Sequence, residues 1–105
     1  FEPRSFTSRS RVFQREMAEA FALADEVVIA PVFSSSRLPA DEELSEERLV
    51  RDLEAGGVEA AFVPTVQEIV SRLKSRARPG EVILVMSNGS FGGLPEKLLE
   101  ALALS

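Results

Sequence analysis

The chain has 105 residues, a net charge of −5 at pH 7, 45% hydrophobic and 28% charged residues, and no Cys, His, Trp or Tyr. This length suffices for one domain with a modest core, and without Cys and His the chain cannot supply a thiol nucleophile, an imidazole base or a zinc finger. No apolar run approaches the roughly 20 residues of a membrane-spanning helix, and no charged-then-apolar signal peptide opens the chain, so we expect a soluble, intracellular protein with no membrane partner.

Four helices and three strands are predicted, and they alternate along the chain. The main signals are apolar residues at helical spacing, a capping-box pair, and uninterrupted apolar runs of strand length. In chain order the predicted elements are helix 10–24, strand 26–30, a helix from Ser45 to Gly56, strand 58–63, a helix from Thr65 to Ala77, strand 82–86 and a last helix that starts near Pro95. This order predicts one α/β domain, residues 1–105, with a three-layer, Rossmann-like and mostly parallel sheet.

A further strand is expected immediately upstream of Phe1. Three strands form an unusually small parallel sheet, and the chain opens with Phe1-Glu2-Pro3 rather than with Met. We therefore expect a piece of a longer polypeptide, in which the first strand is truncated and Phe1 is its last residue or lies just beyond it.

Two loops are expected to share one edge of the sheet. Residues 2–9 would leave the truncated strand and residues 87–93 leave the last strand, and ligands of open α/β sheets bind at the carboxyl ends of strands. The first loop carries Arg4 and Arg9, whose guanidinium groups suit phosphates and carboxylates, and the second has three glycines before a helix. A small anionic ligand fits this edge, while a tight strand-to-helix turn explains the glycines equally well. Phe91 is expected to dock on the core.

Acid–base catalysis by this chain alone is not expected. Glu2 is the one acidic residue in the two loops, so paired carboxylates are missing and no catalytic residue is assigned. The acidic stretch 41–59 is most simply a solvated helix face with its leading loop. The acidic balance of the whole chain argues against a nucleic-acid partner, whose binding depends on neutralising phosphates.

Two segments resemble the C-terminal domain of the Mur ligases. The first is Phe1-Glu2-Pro3-Arg4-Ser5-x-Thr7, and the second is Ile83-Leu84-Val85-Met86-Ser87-Asn88-Gly89-x-Phe91-Gly92-Gly93, followed by Lys97-Leu98-Leu99. Residues 24–27 and 78–81 also fit, so the resemblance covers nearly the whole chain. The string Met-Ser-Asn-Gly-x-Phe-Gly-Gly is fairly specific, and it is most similar to the murein peptide ligases of this family.

The resemblance implies a multidomain cytoplasmic enzyme of peptidoglycan recycling, with this chain as its substrate-binding domain, inactive on its own. In such ligases ATP, with Mg²⁺, phosphorylates the lactyl carboxylate of UDP-N-acetylmuramate. The amine of L-alanyl-γ-D-glutamyl-meso-diaminopimelate then attacks the acyl phosphate to form an amide. A central ATP-binding domain holds the nucleotide, and the resemblance gives this chain no cofactor of its own.

The resemblance also implies which residues bind substrate. Arg4 would contact an anionic group of the substrate or the forming phosphate, with Ser5 and Thr7 as hydroxyl donors beside it, and Ser87, Asn88 and Gly89 would face the peptide from the other loop. Three places depart from the family pattern: Phe6 stands where Asn is usual, Ser90 where Gly is frequent, and Leu94-Pro95 where Ile-His is common. Either the peptide is recognised differently here or these positions do not contact it, and the fold that the resemblance implies is unaffected.

A stand-alone binding module is the alternative interpretation. Composition and periodicity also allow an α/β module whose glycine-rich edge holds a phosphate-bearing metabolite or a protein partner. The sequence upstream of Phe1 discriminates the two, because a ligase requires a G-x-x-x-x-G-K-[ST] motif in a central domain. A small module would instead start with Met within about 30 residues, the length of one βα unit.

Overall fold

The computed structural model of the chain describes residues 1–3, 14–31, 44–87 and 89–103. The helices and strands are α1 Gln14–Phe21, β1 Glu26–Ile29, α2 Glu46–Ala55, β2 Glu59–Phe62, α3 Val66–Arg76 and α4 Leu94–Ala103, the last preceded by a 3₁₀ turn at Phe91–Gly93. Every one of these elements lies where a helix or strand was predicted. The predicted start of the first helix, residues 10–13, lies outside the described residues. No described helix is long and apolar enough to cross a membrane.

The two strands form a parallel pair with helices on both faces. Glu26 lies opposite Glu59 and Ile29 opposite Phe62. Since successive side chains of a strand point to opposite faces, each face has its own core. One core joins the sheet to α1 and α2 and contains Val27, Ile29, Leu44, Leu49, Leu53, Val58 and Ala60; the other joins it to α3 and α4 and contains Ala30, Val63, Ile69, Phe91 and Leu94. The predicted three-layer α/β arrangement is therefore confirmed.

Side-chain caps fix the starts of α2 and α3. The Ser45 hydroxyl accepts a hydrogen bond from the Arg48 N–H (3.2 Å), and the Thr65 hydroxyl accepts one from the Glu68 N–H (3.2 Å). The buried Gln14 amide adds a tie between helices, because its Nε2 donates to the Ser45 carbonyl (2.6 Å) and its Oε1 accepts from the Ser45 N–H (2.9 Å). These bonds satisfy backbone groups that a helix start otherwise leaves unpaired.

The predicted strand 82–86 is not part of the hydrogen-bonded sheet. Residues 81–87 have no ladder partner among the described residues, and their side chains alternate between exposed and half-buried. The physical reason lies beside them: Phe1 and Glu2 are the only described residues between this segment and β1. The Glu2 N–H donates to the Met86 carbonyl (2.9 Å). A pairing that involves one or two residues is too short to form a strand.

Candidate functional site

The two predicted loops meet at the carboxyl-end edge of the sheet. The Ser87 hydroxyl donates to Glu2 Oε1 at 2.6 Å, across 85 residues of sequence, and the Glu2 N–H binds the carbonyl that precedes Ser87. A hydrogen bond to a carboxylate is shorter and stronger than one between neutral groups. Glu2 and Ser87 therefore hold the start of the first loop against the start of the second.

The Ser87 hydroxyl is engaged on both sides. Besides donating to Glu2, it accepts a hydrogen bond from the Gly89 N–H at 3.1 Å. A serine hydroxyl has one proton to donate, so in this arrangement Ser87 orders the turn and the partner loop. Its geometry is that of a residue that positions its neighbours.

The described part of the chain contains two of the six predicted substrate-binding residues. Ser87 and Gly89 lie at the edge, whereas Arg4, Ser5, Thr7 and Asn88 lie outside the described residues, as does Arg9. Asn88 is the residue between Ser87 and Gly89, and Arg4 follows Pro3 directly.

Glu2 takes part in this edge although it is not among the six residues predicted to bind substrate. It is the one acidic residue of the two predicted loops. The available signal was its position, since it follows directly the residue predicted to end a strand. From sequence alone, a carboxylate next to arginines is most simply interpreted as their ion-pair partner. Its hydrogen bond with Ser87, 85 residues away, is therefore not expected.

The glycine-rich segment is a tight turn docked on the core. Phe91 is 2% exposed and packs in the core on the α3 and α4 face, which confirms the prediction that it docks there. Phe91, Gly92 and Gly93 all have positive φ values, of 53°, 58° and 77°. A Cβ on Gly92 would also lie 3.0 Å from Cγ2 of Val66. Gly92 is thus required by the turn itself.

The opposite edge of the sheet carries a compact ion cluster. Arg76, at the end of α3, lies with its Nη2 at 2.6 Å from Glu26 Oε1 and also pairs with Glu59. The hydrogen bond from Arg76 lowers the pKa of Glu26. Because the two glutamates face each other in the β1–β2 register, the guanidinium separates two carboxylates that would otherwise repel. This cluster is structural.

The described residues offer no site for a metal ion. None of them form a group of three or more Asp, Glu, His or Cys side chains with suitable placement. The sequence also lacks the G-x-x-x-x-G-K-[ST] motif that holds nucleotide phosphates. The described residues therefore do not form a binding site for ATP and Mg²⁺, and we assign no chemical step with ATP or Mg²⁺ to them.

Comparison with known proteins gives a family. Residues 4–89 match the family "Mur ligase, glutamate ligase domain". Proteins named UDP-N-acetylmuramate–L-alanine ligase, from Burkholderia mallei, Burkholderia pseudomallei and Burkholderia thailandensis, are each 34% identical to it over 101 residues. Those residues are 95% of this chain and 21% of each relative.

The relatives bear the name of the L-alanine ligase and not that of a murein peptide ligase, so the predicted branch of the family is not established by them. No solved structure matches the chain. The family match nevertheless covers more than half of the residues, and it agrees with the α/β fold: this chain belongs to the Mur ligase family, as its C-terminal domain.

Proposed function

We propose that the chain is the substrate-binding domain of an ATP-dependent ligase that forms an amide on the lactyl carboxylate of UDP-N-acetylmuramate. Family membership supports this, as do the relatives whose names contain that nucleotide sugar. The chain spans about a fifth of their length, 21%, so we assign ATP and Mg²⁺ to a central domain outside it. The enzyme acts in the cytoplasm, where nucleotide sugars and ATP are available.

The amine substrate that we propose is the murein tripeptide L-alanyl-γ-D-glutamyl-meso-diaminopimelate, which places the enzyme in peptidoglycan recycling. The support is the string from Met86 to Gly93, which resembles that of the murein peptide ligases. This string forms the second loop of the edge, in contact with Glu2 through Ser87. The tripeptide carries carboxylates, and Arg4 would bind one of them through a charge-assisted pair.

The single observation that supports this use of the edge most is the hydrogen bond between Ser87 and Glu2. It joins the only two loops whose sequences resemble substrate-binding segments of the family. Along the sequence, Asn88 directly follows Ser87, and Arg4 lies two residues after Glu2. Pre-positioned groups of this kind lower the entropic cost of ordering a substrate.

The test uses the full-length enzyme and measures amide formation from UDP-N-acetylmuramate, ATP and the tripeptide. Arg4→Lys keeps the charge and removes the planar fork, and Asn88→Ala removes the amide. Each is expected to lower kcat/KM about 10- to 100-fold, which corresponds to the loss of one charge-assisted or well-placed hydrogen bond. The thermal midpoint should change little, because the sequence predicts loops at both positions.

The matched control is a pair of serine variants in the same loop. Ser87→Ala removes the tie to Glu2 and should lower kcat/KM roughly 10-fold. Ser90→Ala alters an exposed serine whose side chain caps no helix, and it should leave turnover unchanged. Wild-type turnover in Arg4→Lys and Asn88→Ala would remove both residues from the proposed site.

L-alanine is the second candidate for the amine substrate, because the relatives are named UDP-N-acetylmuramate–L-alanine ligase. The same assay separates the two, with the tripeptide and L-alanine supplied in parallel at equal concentration. Product from the tripeptide alone supports the recycling role, and product from L-alanine alone supports the role in which the first residue is added. Absence of product with either amine would remove both of them as the substrate.

A further inference from the structure

The dipeptide Asn88-Gly89 has the composition of a site of spontaneous chemical change. Asn88 is the one asparagine of the sequence, and no aspartate precedes a glycine. In such a pair the glycine nitrogen can attack the side-chain amide carbon of the asparagine, because glycine has no Cβ to hinder the approach. Asparagine is therefore among the thermolabile residues. Asn88 lies outside the described residues, whereas the attacking atom, the Gly89 nitrogen, lies within them.

The Gly89 nitrogen is held by two hydrogen bonds in series. Its N–H donates to the Ser87 hydroxyl at 3.1 Å, and this hydroxyl donates to Glu2 Oε1 at 2.6 Å. We call Glu2, Ser87 and Gly89 the relay. An ionised carboxylate can only accept, so the Ser87 proton points to Glu2 and a lone pair of its oxygen is left for Gly89. Glu2 thus determines which side of the hydroxyl faces the nitrogen.

The charge of Glu2 strengthens the bond at the other end of the relay. A hydrogen bond to a carboxylate is stronger than one between neutral groups, and it polarises the hydroxyl that donates it. The oxygen of Ser87 becomes a better acceptor as a result. The Gly89 N–H is therefore held more firmly than by a serine without a carboxylate partner.

The backbone fixes Glu2 on both sides. The Phe1 carbonyl accepts from the Ala30 N–H at 2.9 Å, and the Glu2 N–H donates to the Met86 carbonyl at 2.9 Å. The next residue, Pro3, is among the fully buried side chains. The acceptor at the end of the relay is thus attached to a backbone that is tied to the sheet before it and to the second loop beside it.

The relay opposes the attack on Asn88 at the nitrogen itself. Gly89 is exposed, so water has access to it. The nitrogen must lose its proton and turn toward the side chain of Asn88, and both changes break the bond to Ser87. The charge left on the nitrogen would also face the lone pair of the Ser87 oxygen. Since this bond has to be lost before the reaction, its strength adds to the barrier.

We propose that Asn88 is a self-modification site, which converts to aspartate and isoaspartate at a rate set by the relay. The Gly89 nitrogen gives its proton to water and forms a bond to the Asn88 Cγ, while the bond from Cγ to the side-chain nitrogen breaks and ammonia leaves with a proton from water. Water then opens the ring at either carbonyl carbon, and the Gly89 nitrogen regains a proton. One water is consumed, one ammonia is released, and the loop gains one negative charge.

Mass spectrometry of the full-length protein tests the proposal. The protein is incubated at mildly alkaline pH, and the proteolytic fragment that contains residue 88 is followed over time. A synthetic peptide of residues 84–93, which lacks Glu2, gives the rate without the relay. Asn88 should react roughly 10-fold more slowly in the protein than in the peptide, since a net hydrogen bond accounts for about this factor. Equal rates in protein and peptide would overturn the proposal.

Variants of the relay assign the protection to it. Ser87→Ala should accelerate the reaction roughly 3- to 10-fold, and Glu2→Gln, which keeps the shape and removes the charge, by less. Ser87→Thr keeps the hydroxyl and should react at the wild-type rate. Ser90→Ala, at the exposed serine after Gly89, is the matched control and should also leave the rate unchanged.

A destabilised variant separates the relay from unfolding. Leu49 is buried in the core on the α1 and α2 face, so Leu49→Ala destabilises the fold without touching the relay. Ser87→Ala should accelerate the reaction more than Leu49→Ala does. A wild-type rate in Ser87→Ala, or equal acceleration in Ser87→Ala and Leu49→Ala, would overturn the proposal. Turnover is not measured, so the outcome is independent of the proposed ligase activity.

Discussion

The strand β1 and the segment 82–86 have nearly the same sequence character and opposite environments. Both are uninterrupted apolar runs, Val27-Val28-Ile29 in one and Val82 to Met86 in the other. Ile29 is fully buried between β2 and two helices, whereas Val82 is 92% exposed. Apolar composition makes a segment suitable for the centre of a sheet, but burial there depends on a neighbour for each of its edges.

The comparison also locates what the segment 82–86 lacks. Val85 packs on the core that also contains Ile69 and Phe91, so one face of the segment is already covered by the layer of α3 and α4. What it lacks is a neighbouring strand, since the Glu2 N–H donates the one backbone hydrogen bond that it receives from that side among the described residues. A pair of strands is weak without a third, and a segment attached by one hydrogen bond is weaker still.

Truncation of one leucine in each region should give the largest contrast. Leu49, on α2, is fully buried in the core on the α1 and α2 face, and Leu49→Ala is expected to lower the free energy of unfolding by about 2 to 5 kcal/mol, through lost transfer energy and the cavity that remains. Leu84→Ala, in the chain that starts at Phe1, should change it by less than about 0.5 kcal/mol. Urea denaturation monitored by circular dichroism measures both. Equal losses from both variants in the chain that starts at Phe1 would mean that 82–86 is packed as well as β1, which contradicts its exposure.

The amino group of Phe1 should make the stability of the chain that starts at Phe1 depend on pH between 6 and 8. Its pKa is about 6 in the folded state and 8.0 when exposed, so the folded state binds fewer protons in this interval and stability rises with pH. The difference between the two pKa values corresponds to roughly 2 to 3 kcal/mol, fully present above pH 8 and lost below pH 6. No His is present to titrate in the same interval.

Nα-acetylation is the control for this dependence. The acetylated chain keeps a donor to the Val28 carbonyl and has no charge to bury, so its stability should be flat between pH 6 and 8. A slope that persists after acetylation would assign the dependence to another group.

The sequence predicted the elements of the paired region because their signals are local. The spacing of Thr65 and Glu68 specifies a helix start that the structure contains as a capping hydrogen bond, and Ser45 does the same for α2. Strand 82–86 was predicted from its apolar composition alone. Composition does not show whether another strand lies beside the segment. The prediction of a strand before Phe1 used the size of the sheet, and it stays a prediction.

The candidate edge was less predictable because its defining contact is not local. The two loops could be placed at one edge from the parallel order of the strands. Which side chains join there depends on distances that no periodicity encodes, and the bond between Ser87 and Glu2 spans 85 residues. For the glycine-rich loop the functional and structural explanations were balanced, and the structure favours the turn, because a Cβ added at Gly92 would lie 3.0 Å from Cγ2 of Val66.

The turn that connects 82–86 to α4 should tolerate no side chain at Gly92. Gly92→Ala places a Cβ at a φ of 58° and at 3.0 Å from Val66 Cγ2, and it is expected to cost about 2 kcal/mol in unfolding free energy. Gly80→Ala is the matched control, with a φ of 90° and open space around the added Cβ, so it should cost less. Urea midpoints measure both, and equal losses would mean that Val66 moves aside without penalty.

The smallest effect is expected at the opposite edge, where Arg76 bridges β1 and β2. Arg76→Met keeps much of the stem and removes the charge between Glu26 and Glu59, so stability at pH 7 should fall, but by less than in Gly92→Ala, because the cluster is partly exposed. The hydrogen bond from Arg76 lowers the pKa of Glu26, so its contribution is present above the ordinary value of 4.5 and is lost as the pH falls through the folded-state value. The difference between wild type and variant should therefore shrink toward acid pH. Arg48→Met, at a more exposed pair with Asp52 at 3.9 Å, should produce neither effect. If the difference in stability between wild type and Arg76→Met is the same at pH 7 and at acid pH, Arg76 acts through its packing at the end of α3. Its charge would then make no contribution to the pairing of β1 with β2.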